Sequence, residues 1–252
     1  MKIIACYSNK GGVGKTAVSV NLAYTLADAG HRTLLCDLDP QGASSFYFRV
    51  KPSKKLTEAS FFKDVEKFTK SIRGSDYDNL DILPANMSFR DFDVFLSRMR
   101  NSRSRLKKAL KSVEKDYDVI VLDCPPSIST LSENIFRCSD LVLTPVIPTT
   151  LSQRTFDQLV KFFKDNDISL DKLRGFFSMV QSVKALHTET INAMTSEYKK
   201  RFLKTHIPFA SSVERMGLLR APVVATAPNT AASQAYQQLC AEITGKGARL
   251  RL

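Results

Sequence analysis

Short apolar runs along this chain alternate with stretches in which apolar residues recur every three or four positions. Ile3, Ile4, Ala5 and Cys6 form the first run, and Val18, Leu22, Leu26 and Ala29 follow at helical spacing until Gly30 closes the helix. The runs Thr33-Leu34-Leu35-Cys36 and Val119-Ile120-Val121-Leu122 are apolar without alternation, which suits strands covered on both faces. Further strands are predicted at Leu80 to Leu83, Leu141 to Val146 and Gly175 to Val180, and helices at Phe61 to Ile72, Thr155 to Asn166, His187 to Leu203 and Thr230 to Ile243. The stretch from Ala43 to Asp81 is the least regular, rich in Lys and Phe, and is expected at the periphery. Strand and helix in alternation predict an α/β fold with a doubly wound, mostly parallel sheet flanked by helices. No repeat or low-complexity linker divides the chain, so residues 1–252 are read as one domain.

Polar residues punctuate these runs at three informative places. Between the first strand and first helix lies Asn9-Lys10-Gly11-Gly12-Val13-Gly14-Lys15-Thr16. Its glycines carry no Cβ, so backbone N–H groups can turn inward and cradle phosphate oxygens at the helix's positive end. Lys15 is placed to reach the β- and γ-phosphates and Thr16 to offer a hydroxyl to Mg²⁺, a pattern that points to a nucleoside triphosphate and a P-loop NTPase. Asn9 stands where the usual motif begins with glycine, and Lys10 lies upstream of the turn, poorly placed to reach its own nucleotide. The second and third places are strand ends: Asp37-Leu38-Asp39-Pro40-Gln41-Gly42 and Asp123-Cys124-Pro125-Pro126. Ligands bind at the carboxyl ends of parallel strands, so these aspartates are expected to converge on the loop. Thr16 and Asp123, with Asp39, are the candidate metal ligands; Asp39 is also the candidate to orient the attacking water. Asp37 has two readings of equal weight, a metal role or a local backbone cap.

Lys-Gly-Gly-Val-Gly-Lys-Thr, Asp-Leu-Asp-Pro-Gln-Gly and Asp-Cys-Pro-Pro-Ser, in this order, resemble the ParA branch of the ParA/MinD ATPases. The likeness spans most of the chain and includes Leu83-Pro84-Ala85, Leu143-Thr144-Pro145-Val146 and His206-Ile207-Pro208. The resemblance implies ATP and Mg²⁺ as cofactors, with Lys10, Gly11, Gly12, Val13, Gly14, Lys15, Thr16, Ala17 and Pro208 around the nucleotide and Lys10, Lys15 and Asp39 in catalysis. It also implies that Lys10 crosses to the partner's phosphates in an ATP-bound homodimer. Two departures stand out. Ala17 replaces the common Thr or Ser, which removes one hydroxyl near the α-phosphate, and the usual Glu-Ala-Pro segment appears as Arg220-Ala221-Pro222 after a longer connection.

Charge adds a partner to this picture. The 252 residues carry 37 Lys and Arg against 25 Asp and Glu, a formal net charge of +12, which favours an anionic polymer. Basic residues cluster from Arg98 to Lys111, again at Lys199, Lys200, Arg201 and Lys204, and at Lys246, Arg249 and Arg251. With no base-reading motif present, contact is expected with phosphates of nonspecific DNA, and Lys199, Lys200, Arg201, Lys204, Arg220, Lys246 and Arg249 are the candidate contacts. The five cysteines show no metal spacing and read as reduced core residues of a cytoplasmic protein, and the resemblance implies association with the nucleoid. No 18-residue apolar stretch or signal peptide is visible, and the short, glycine-broken segment from Thr244 to Leu252 argues against a MinD-like membrane cycle. Cys124 directly after Asp123 does not resemble a shared iron–sulfur site. By resemblance, a ParB-like or cargo-adaptor protein triggers hydrolysis, and the cycle partitions a plasmid or chromosome or positions a protein cargo.

Overall fold

The computed structural model describes residues 1–245; Lys246, Arg249 and Arg251 lie outside the described residues. Among the described residues seven strands form one sheet in the order β3-β4-β2-β5-β1-β6-β7: β1 Lys2–Cys6, β2 Thr33–Asp37, β3 Arg73–Gly74, β4 Leu80–Leu83, β5 Val119–Asp123, β6 Leu141–Val146 and β7 Leu173–Phe177. All pairings are parallel except that of the short edge strand β3 with β4. The expected doubly wound sheet is present.

The continuous apolar runs conceal a period of two. Ile3 and Ala5 of β1 enter one core with Ile120 and Leu122 of β5, while Ile4 and Cys6 enter the other with Val119 and Val121. Helices Lys15–Asp28 and Ala231–Thr244 cover the second face; helices Arg105–Lys111, Thr130–Cys138 and Thr150–Asp165 cover the first. A strand with helices on both sides has no polar face to display, and this is why its sequence does not alternate.

Strand order places the site. From β1 the chain crosses β5 to reach β2, whereas from β5 it crosses β1 to reach β6. The loops leaving these two central neighbours therefore part in opposite directions and open a crevice at their carboxyl ends.

Several element boundaries differ from expectation. The helix expected from Phe61 to Ile72 is two short helices, Glu58–Lys63 and Val65–Thr69, because Asp64 breaks the first and caps the second by accepting Lys67 N–H at 3.0 Å. Nor is this stretch peripheral in its packing. Phe61, Phe68, Phe89 and Phe92 are nearly or fully buried, and ring centroids 4.3 to 5.4 Å apart bind them into one aromatic cluster. Strand β7 begins two residues earlier than expected, at Leu173, and Gly175 within it lets Phe202 approach, since a Cβ there would sit 2.8 Å from the ring. The helix from His187 to Leu203 runs from Ala185 to Tyr198 and is followed by a 3-10 turn at Lys199–Arg201.

Candidate nucleotide site

At the end of β1 the chain turns through Gly12 at φ 71° and Gly14 at φ 95°, conformations that L side chains avoid. Gly14 also packs tightly: a Cβ would lie 3.0 Å from Ser178 Oγ. Helix Lys15–Asp28 starts immediately after Gly14, which has no side chain to cap it. Among the described residues the N–H groups of Gly11, Gly12, Val13 and Gly14 find no protein acceptor, and those of Lys15 and Thr16 open the first helical turn. Such a run of free donors at a helix start is the cradle a polyphosphate needs.

The two loop lysines are used differently. Lys15 is buried, and its ammonium folds back to donate to the Lys10 carbonyl at 3.2 Å. Burial lowers its proton affinity, while Asp123 and Asp39 oppose that and hold the charge. Lys10 is half-exposed, and its ammonium has no protein partner among the described residues.

The three expected aspartates occupy the crevice in three distinct environments. Asp123 is 1% exposed, and its oxygens accept from Ser19 Oγ at 3.1 Å and Ser44 Oγ at 2.5 Å. Burial pushes its pKa up, and the hydroxyls of Ser44, Thr16 and Ser19 oppose that rise. Asp37 lies beside it in the β2–β5 register and is fully buried. One of its oxygens accepts Ser45 N–H at 2.8 Å and Ser45 Oγ at 2.6 Å; the other is buried with no partner. Desolvation, then the neighbouring Asp123 charge, pushes the Asp37 carboxyl up to about 8. Asp37 thus makes the local backbone bond anticipated for a cap, and it keeps one oxygen unused. Asp39, half-exposed on the turn beyond, accepts Gln41 N–H at 3.0 Å.

An oxygen set of this kind fits a hard cation bridging phosphates. The hydroxyl of Thr16 and the carboxylate of Asp123 stand at the loop, and the unpartnered Asp37 oxygen nearby leaves acceptor capacity for a metal's waters. Ser19, Ser44 and Ser45 had escaped notice in the sequence, although Ser19 lies one helical turn after Lys15 and the serine pair directly follows the Asp39 turn. Beside the loop, Ala17, Met179, Ile207, Pro208 and Tyr236 line a mostly apolar cleft of about 80 Å³. Backbone bonds from Ile207 to Phe177 and from Phe209 to Val180 hold Pro208 there, so an apolar wall for a planar base adjoins the phosphate cradle.

The candidate DNA contacts do not gather here. Lys199, Lys200 and Arg201 share an open groove with Arg174, and Lys204 is exposed nearby. Arg220 stands apart from them and is engaged: its guanidinium lies 4.5 Å from the Phe46 ring centroid and its Nε donates to the Phe46 carbonyl at 3.0 Å.

Fold and site together define a nucleotide-binding α/β ATPase with an additional lysine in its phosphate loop. A family model described as an AAA domain matches residues 1–173. The sporulation initiation inhibitor protein Soj of Bacillus subtilis is 29% identical over 253 residues, covering 98% of this chain and 99% of Soj. The chromosome partitioning protein ParA of Myxococcus xanthus is 30% identical, over 81% of this chain and 75% of that protein. Among solved structures, cobyrinic acid a,c-diamide synthase from Mycobacterium smegmatis with bound ATP analogue and magnesium superimposes with a TM-score of 0.78 at 25% identity, covering 95% of this chain and 93% of that one. The chain belongs to the ParA/MinD family of ATPases. It hydrolyses ATP, and ATP and Mg²⁺ are its cofactors.

Proposed function

We propose that this ATPase is a partition or positioning switch: ATP closes a homodimer, the dimer holds nonspecific DNA on the nucleoid, and a ParB-like or cargo-adaptor protein triggers hydrolysis and release. The cargo is a plasmid, a chromosome or a protein complex. The contrast between the two loop lysines carries the reading. Lys15 is already committed to its own loop, whereas Lys10 is free beside it. In the closed dimer Lys10 neutralises the partner's phosphates, so the triphosphate favours association and its loss reverses it.

Within each subunit the loop N–H groups and Lys15 bind the phosphates, and Pro208 with Ala17 borders the base. Thr16 and Asp123 would hold Mg²⁺, which when bound supplies charge neutralisation across the β- and γ-phosphates. Ser19 and Ser44 fix the Asp123 carboxylate in place. Asp39, on the outer turn, orients water for attack on the γ-phosphate and is a second candidate for the metal shell.

Light scattering in ATP tests the central step. Lys10→Ala is expected to remain monomeric, and a dimer at the wild-type ATP concentration would refute the crossing lysine. Asp39→Ala is expected to accumulate as an ATP-bound dimer; wild-type turnover in that variant would assign the water elsewhere.

A further inference from the structure

Two open basic grooves lie at the end of the sheet opposite the nucleotide. Arg103, Lys107, Arg137 and Lys172 line one of about 510 Å³. Arg174 and the Lys199–Arg201 turn line the other, of about 420 Å³. Both adjoin the 3-10 turn Leu170–Lys172 that leads into β7, and Lys172 faces the first groove while Asp171 faces the second. The helix bearing Arg137 ends just before β6 begins, and the helix before Lys199 descends from the carboxyl end of β7. Strands of five residues put this end about 17 Å from the phosphate loop.

We propose that these grooves form one docking surface for the phosphate backbone of duplex DNA, on the far side of each subunit from ATP. The assignment rests on the DNA-binding reading above and adds to it the location and its geometric consequence. Charge complementarity identifies the occupant. Eight lining cations face three lining carboxylates, Asp167, Asp171 and Glu197. A fourth carboxylate, Glu133, pairs with Arg103 at 3.1 Å and Arg137 at 2.8 Å. Lys107 and Lys200 are exposed and make no ion pair among the described residues.

Backbone bonds hold other members in place. Arg137 donates to the Asn166 carbonyl at 2.9 Å, Arg201 to the Leu170 carbonyl at 2.8 Å, and Lys172 to the Arg137 carbonyl at 3.1 Å. Guanidinium groups already ordered lose less entropy when a phosphate arrives. Burial lowers the Lys172 pKa; the nearby Asp140 carboxylate opposes that, and the positive Lys107 and Arg137 add to it. Among the described residues, none of the exposed large apolar side chains lines either groove, so they give the surface no apolar interleaving of the kind a membrane-seated site has.

Placement has a consequence. A dimer closed over ATP at the carboxyl ends of the strands points its two basic faces apart, so it holds two duplexes rather than clamping one.

Fluorescence anisotropy with a nonspecific duplex, the full chain and ATP over graded KCl tests the surface. Lys107→Glu/Lys200→Glu is expected to bind at least about tenfold more weakly, with a log–log salt slope shallower by about 2, since each phosphate contact contributes about 0.9. Lys54→Glu/Lys55→Glu makes the same charge change in a different basic groove and is expected to stay within about twofold of wild type. Melting temperature and dimer mass in ATP verify folding of both variants. Equal weakening by both, or wild-type binding by Lys107→Glu/Lys200→Glu, overturns this surface and leaves the DNA reading standing. No duplex binding by an intact wild-type ATP dimer overturns both. If phosphatidylglycerol vesicles sediment with wild type and not with Lys107→Glu/Lys200→Glu, while duplex binding is the same for both, the surface belongs to a membrane and the proposal fails. Finally, bead-bound duplex is expected to retain a second, dye-labelled duplex only with wild type and ATP; its absence despite tight binding of one duplex overturns the outward placement.

Discussion

The two ends of the sheet handle charge in opposite ways. At the carboxyl ends of the strands a few ionisable groups are buried or half-buried, and most have a named partner: Asp123 with Ser19 and Ser44, Asp37 with Ser45, Lys15 with the Lys10 carbonyl. At the amino ends cations are numerous and several stand free in water. A buried charge is worth much and tolerates little displacement, whereas an exposed one is screened and nearly interchangeable with its neighbours. Chemistry therefore depends on the position of single atoms at one end, and adhesion depends on the number of charges at the other.

The largest test of this contrast removes one ammonium from the buried end. Lys15→Ala is expected to lower ATP hydrolysis by about 10³-fold, the scale of losing a preorganised charge at a reacting phosphate. A loss under tenfold in a steady-state phosphate-release assay would break the comparison. Ser44→Ala leaves Asp123 in place but unfixed, and Mg²⁺ affinity is expected to fall about 10- to 100-fold, as for other residues that orient a metal ligand. Titration of Mg²⁺ against ATPase rate reads this, and an unchanged midpoint would make the Ser44 bond incidental.

Asp37 sharpens the comparison through pH. Its carboxyl, raised to about 8 in the fold, keeps a proton that the unfolded chain releases near pH 3.9. The folded state therefore binds more protons between these values, and the stability this provides is lost as pH rises towards 8 and beyond. Asp37→Asn carries no such dependence. In EDTA its melting temperature is expected to gain on wild type at pH 8 more than at pH 5, and the reverse order in calorimetry would contradict the burial argument. The smallest effect belongs to an exposed cap remote from the site: Asp64→Ala is expected to cost about 1 kcal/mol in urea unfolding and leave hydrolysis unchanged.

Legibility followed locality. The phosphate loop could be read because its chemistry lies in eight consecutive residues, and Asp39 and Asp123 because each ends an apolar run. Ser19, Ser44 and Ser45 could not, since a serine's role depends on which carboxylate lies across the crevice from it. The same limit applied to Arg220, which reads as a free cation in sequence and is stacked on Phe46 in space. Asp64 hid the break in the expected Phe61–Ile72 helix because an aspartate within an apolar periodicity looks like an exposed face until its carboxylate is seen capping the next turn.

By itself, then, the amino-acid order settled the alternation of strand and helix, the phosphate cradle and the excess of positive charge, all of which are properties of neighbouring residues. Tertiary structure alone decided that Asp37 and Asp123 sit side by side, that Lys15 turns inward while Lys10 does not, and that cations from four separate segments meet at the far end of the sheet. Those facts depend on strand order, and strand order is fixed by how two cores pack against both faces of the sheet, which no local window of sequence contains.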